Sequence, residues 1–167
     1  MQNDITNITN WRENETHISD LFHWISEFGI KTFFFEEDIY PSLIAHDTPE
    51  GNDINQFDFQ FIESIVLRVD FFIERAIQYI KEDIANNPDK FEVTQERAKE
   101  LLFMPAKEFP VSFPDMNFYP DNTWMIRFAD ADFPVIEYGE GISVNFRGEE
   151  PSGVEILSSE YEIDRDM

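Results

Sequence analysis

Asp130-Ala131-Asp132 sets two carboxylates on one side of an extended segment, an arrangement that can chelate a divalent cation. A metal-assisted hydrolase or transferase would use such a pair to hold the ion that polarises its substrate oxygen. The same three residues also read as a turn between strands, because Asp hydrogen-bonds its own backbone there. His17, His23 and His46 are the only histidines, and none shows the i, i+4 helical spacing with a Glu that a zinc protease needs. His46-Asp47 lacks a third ligand in its loop. Cysteine is absent, which removes thiolate catalysis, Cys-bound metals and disulfides. The six glycines are scattered, Gly139-Glu140-Gly141 is no phosphate loop, and no Gly-x-Ser-x-Gly elbow occurs. Carboxylate pairs for glycoside hydrolysis can be drawn in many ways, so none stands out. No catalytic residue, metal ligand or cofactor is assigned, and the chain is read as non-enzymatic.

What remains is charge. Thirty-five Asp and Glu against twelve Lys and Arg give a formal net charge of −23. Ordinary carboxylates titrate near roughly 4, so nearly all are ionised at neutral pH. Such a field repels nucleic acid and anionic membranes and steers basic proteins inward. It serves solubility as well. Towards the C-terminus the acids Glu137, Glu140, Glu149, Glu150, Glu155, Glu160, Glu162, Asp164 and Asp166 crowd with Phe118, Tyr119, Tyr138 and Tyr161. Acidic rims around aromatic anchors suit an Arg- and Lys-rich partner, since charge speeds encounter and rings supply affinity. The expected partner-binding set is Glu137, Tyr138, Glu140, Glu149 and Glu150, with Asp130 and Asp132.

These side chains need a scaffold, and 42% apolar content with eighteen Phe supplies a core. Residues 1–16 are polar, with neither basic region nor apolar run, and are expected as a mobile arm rather than a signal peptide. No apolar stretch reaches the roughly 18 residues that span a membrane, and the chain is expected to be cytoplasmic. From Leu21 to Glu36 the aromatic text allows a helix at 19–27 followed by a strand, or a hairpin of strands near 21–27 and 30–36. The run Phe33-Phe34-Phe35 favours the hairpin. Tyr40 to Asn55 reads as a loop. Ile62, Ile65, Val66, Val69, Phe72, Ile73, Ala76, Ile77, Ile80 and Ile84 repeat at three and four, predicting one helix over 56–86 capped by Asp53 or Asn55 and stopped by Asn87-Pro88. Phe57, Phe59, Phe61 and Phe71 widen its apolar arc, so the helix packs on two sides or offers surplus surface. A short helix follows from Thr94 to Leu102, with Thr94 as cap and Pro105 beyond it. Then the period becomes two, at Phe109/Val111/Phe113, Trp124/Ile126/Phe128 and Ile142/Val144/Phe146, with a last short strand at Val154 and Ile156. Pro114-Asp115 and the stretch from Arg147 to Gly153 read as turns. The expectation is an α+β fold: an antiparallel sheet of three to five C-terminal strands plus the N-terminal hairpin, packed on one long and one short helix. Residues 17–157 form the domain and 158–167 an acidic tail.

Trp124-Met125-Ile126-Arg127-Phe128, an Asp-containing turn, Pro134-Val135-Ile136-Glu137 and Gly141-Ile142-Ser143-Val144-Asn145-Phe146 are together similar to C-terminal strand pairs in small acidic bacterial immunity proteins, the partners of secreted toxins. The resemblance implies a non-catalytic protein that occludes a cognate toxin domain of nuclease type, and it carries no contact residue across. Asp130-Ala131-Asp132 resembles the metal motif of some sugar-nucleotide transferases, without the nucleotide-binding strand–helix unit. A phage-encoded DNA mimic shares the charge argument and requires its acids in an ordered double row.

Overall fold

Alternation sends every second side chain of a strand to one face. In the computed structural model, which describes residues 4–13, 21–46, 53–133 and 140–157, that rule builds the centre of the sheet. Trp124, Ile126 and Phe128 of β5 (Thr123–Ala131) lie opposite Phe146, Val144 and Ile142 of β6 (Gly141–Arg147) in antiparallel register. All six are at most 1% exposed. β4 (Val111–Phe118) flanks β5 and β7 (Glu150–Leu157) flanks β6, completing the expected C-terminal meander with four strands. On the other side of β4, β3 (Ser42–His46), β2 (Leu21–Ser26) and β1 (Trp11–Glu13) complete a seven-stranded sheet in chain order. Among the described strands only β3 and β4 run parallel, and a parallel pair needs a long crossover. That crossover carries α1 (Phe59–Val66), α2 (Val69–Asn86) and α3 (Gln95–Phe103). The fold is α+β, and no described helix is long and apolar enough to cross a membrane.

α2 docks on the rings of the sheet. Phe72 stands edge-on to Trp124 at 5.2 Å and to Phe146 at 5.8 Å, while Trp124 stacks on Phe146 at 4.2 Å. Ile73, Ala76, Ile77, Ile80 and Ile84 continue this buried stripe. The expected single helix is two, because the chain turns at Leu67-Arg68, where Arg68 leaves helical geometry at φ −117°, ψ 34°. Ser64 Oγ donates to the Phe61 carbonyl at 2.6 Å, a back-bond that bends helices. The turn lets the two helices reach different ground: Phe59 of α1 meets Trp11 at 6.0 Å, while α2 covers β5 and β6. The cap of α1 is Asp58, which accepts from the Phe61 amide at 3.1 Å; Asp53 caps only the short 3-10 turn Ile54–Gln56. Thr94 caps α3 as expected, accepting from the Arg97 amide at 3.1 Å.

The N-terminal hairpin is corrected. β2 pairs with β3, which had read as loop, and residues 30–36 are not a strand. Three consecutive Phe cannot all face one side of a pleat. They sit instead in a loop closed by the Ile30–Ile39 bridge and pinned to α2, where Asp70 Oδ1 accepts from the Thr32 hydroxyl at 2.6 Å and the Phe33 amide at 2.9 Å. Of the expected arm, residues 4–13 join the fold: Ile5 and Trp11 are buried, and the Trp11 indole donates to the Ile5 carbonyl at 2.9 Å. Two turns are also corrected. Pro114 and Asp115 lie inside β4, where Phe113 at φ +56° breaks the alternation and is itself exposed. The last strand begins at Glu150 rather than beyond Gly153, so its turn is Gly148-Glu149, with Gly148 at φ +59°. Phe118, expected at the surface, is buried on the inner face, stacked on Trp124 at 5.5 Å.

Candidate functional site

The expected binding set does not gather in one place. Glu137 and Tyr138 lie outside the described residues, as do His17 and Tyr161. Asp130 and Asp132 stand at the end of β5 and Glu140 at the entry to β6, whereas Glu149 and Glu150 occupy the β6–β7 turn. Those are opposite ends of the sheet, separated by some seven residues of strand or about 20 Å.

At the first end, Asp130 and Asp132 are exposed and line a 660 Å³ concavity with Pro110, Ser112 and Phe133. The Asp132 amide donates to the Pro110 carbonyl at 3.0 Å, fixing the backbone, while neither carboxylate makes an ion pair among the described residues. The Glu140 carbonyl accepts from Arg127 Nε at 3.0 Å. Among the described residues no three His, Asp or Glu side chains gather to hold a metal ion.

At the second end the acids are already engaged. Arg68 Nη1 donates to Glu149 Oε1 at 2.6 Å, and Arg75 Nη2 donates to Glu150 Oε2. The hydrogen bond from Arg68 holds the Glu149 carboxyl below its ordinary range. Both arginines also lie over rings, Arg68 5.1 Å from the Phe72 centroid and Arg75 6.0 Å from that of Phe71. Beside them a 510 Å³ groove runs between α2 and β7, lined by Phe71, Glu74, Arg75, Tyr79, Glu82 and Pro151 among others. Phe71 is 51% exposed. This groove follows from the surplus arc noted at Phe71, but its β7 wall had no local signal.

A third arrangement escaped the sequence altogether. On the sheet face opposite the Trp124 row, Arg127 Nη1 donates to Asp115 Oδ2 at 3.0 Å beside His23. These three line a 330 Å³ hollow with Ile25, Tyr40 and Ile44. Burial pushes the His23 imidazole below its ordinary pKa, with Asp115 opposing, so the ring favours its neutral form. A neighbouring 610 Å³ hollow shares Leu21 and Ile44 and adds His46, Tyr119 and Asp121. Burial, then Glu155 and Asp121, push the Tyr119 phenol up, while the Thr123 hydroxyl holds Asp121 down. Only the register of β2 through β5 brings these residues together, and no spacing in the chain encodes it.

No family model matches the chain, and no curated protein or solved structure matches it significantly.

Proposed function

We propose that the protein is a non-catalytic acidic binding protein that neutralises a basic protein partner, the cognate domain of a nuclease-type toxin. Unspent charge carries this reading. Of the thirty-five acids, six are held in ion pairs among the described residues, one to each of six cations. A net charge this far from zero repels itself in the compact state and draws a cationic macromolecule at rates up to about 10⁹ M⁻¹s⁻¹. The toxin identity rests on the likeness of the C-terminal strands to those of immunity proteins. Co-purification with the product of the adjacent gene, at low and at high salt, is the test. Complex at low salt that weakens as the Debye length shrinks below about 8 Å supports the reading. Absence of complex at every ionic strength overturns it.

A further inference from the structure

We propose that the groove between α2 and the start of β7 docks an arginine-bearing segment of the basic partner; this rests on the reading above that such a partner exists. Phe71, Glu74, Arg75, Gln78, Tyr79 and Glu82 are spaced by three and one, which places them on a single strip of the helix. Glu150 and Pro151 form the facing wall. The strip presents a half-exposed ring: Phe71 is 51% exposed, whereas Phe72, which it meets edge-on at 5.1 Å, is 0% exposed.

The occupant's chemistry is visible within the chain. Arg75 lays its guanidinium over Phe71 and donates to Glu150, and Arg68 repeats the arrangement with Phe72 and Glu149. The groove is thus a cradle of ring and carboxylate that already holds a guanidinium. Glu74 and Glu82 extend it along the helix beside Tyr79, and neither makes an ion pair among the described residues. Arginine suits it better than lysine, because a planar, weakly hydrated guanidinium stacks on a ring while grasping a carboxylate. Arg75 acts as an internal occupant that a partner arginine displaces or joins.

Calorimetric titration with hexa-arginine and with hexa-lysine at low salt tests this. The expected result is tighter binding of hexa-arginine, with Phe71→Ala weakening it about two- to fivefold and erasing the preference. Arg75→Gln should tighten hexa-arginine more than Lys99→Gln, which removes the same charge from the exposed face of α3. Circular dichroism confirms that each variant folds. If hexa-arginine binds but ignores Phe71→Ala and Arg75→Gln, or weakens instead with Asp130→Asn and Asp132→Asn, the groove assignment is overturned while the acidic-binder reading stands. If neither peptide binds, the acidic-binder reading falls and takes the groove with it.

Discussion

Replacing Phe72 with alanine removes a ring that is 0% exposed and edge-on to both Trp124 and Phe146. Buried Phe→Ala changes cost about 3–5 kcal/mol through lost transfer energy and the cavity left behind. For a chain of 167 residues that is about 6–20 °C in Tm. The adjacent Phe71→Ala provides the contrast. It forfeits one edge contact with Phe72 at 5.1 Å and the distant face of Arg75, worth about 1–2.5 kcal/mol together. Urea unfolding followed by tryptophan fluorescence measures both, since the Trp124 stack is what Phe72 supports. Of these neighbouring residues of identical type, Phe72 should therefore cost clearly the more. Equal costs would show that Phe71 is held by the fold, and the argument that its exposure serves a partner would collapse.

The His23 imidazole has its pKa lowered in the folded state, so the unfolded chain takes up the proton first as pH falls. Its contribution to stability is present above about 6.5 and declines below that value towards the folded pKa. The stability difference between wild type and His23→Gln should therefore be smaller at pH 5.5 than at pH 7.5 in denaturant titrations; a difference that grows at acid pH would show that Asp115 outweighs burial. Gly141 sits at φ +102°, with the place of a Cβ 2.1 Å from the Phe128 carbonyl oxygen. Gly141→Ala must separate β5 from β6, and at least about 2 kcal/mol should be lost in urea unfolding. A loss under about 0.5 kcal/mol would mean the strands part freely at that point.

The legible parts of this fold are those where one physical signal acts alone. β5 and β6 read plainly because both bury one face under the helices, so period two survives intact in Trp124 to Phe128 and Ile142 to Phe146. The α2 stripe read plainly for the same reason. The break at Leu67-Arg68 did not, because Val66 and Val69 keep the three-residue spacing across it and both are buried. β3 was hidden by Pro41 and by its brevity, although Leu43 and Ala45 alternate inward. Phe113 failed for a different reason: its positive φ turns the strand, so the buried residues become Val111 and Pro114, three apart. Of the expected binding residues, chain proximity grouped Glu140 with Glu149 and Glu150, yet an antiparallel strand carries them to opposite ends. Pairings such as Arg75 with Glu150 span much of the chain and leave no mark in it.

Under the proposed function, charge and groove take two tasks that the composition had merged. Residues 53–110, which hold every described α-helix, contain seven of the twelve basic residues and twelve of the thirty-five acids. The greater excess of acid thus belongs to the remaining chain, which also supplies Glu150 to the wall of the aromatic groove. Steering depends on the summed field and is screened by salt, whereas anchoring depends on desolvated contact and governs how long a complex lasts. The two should respond to different perturbations in stopped-flow association with the proposed basic partner. Raising salt from about 0.01 M to 0.15 M, which shortens the Debye length from about 30 Å to 8 Å, should slow the on-rate and leave the off-rate nearly constant. Phe71→Ala should leave the on-rate alone and raise the off-rate about two- to fivefold. An off-rate that tracks salt while ignoring Phe71 would mean that charge alone holds the complex, and that the exposed ring takes no part in it.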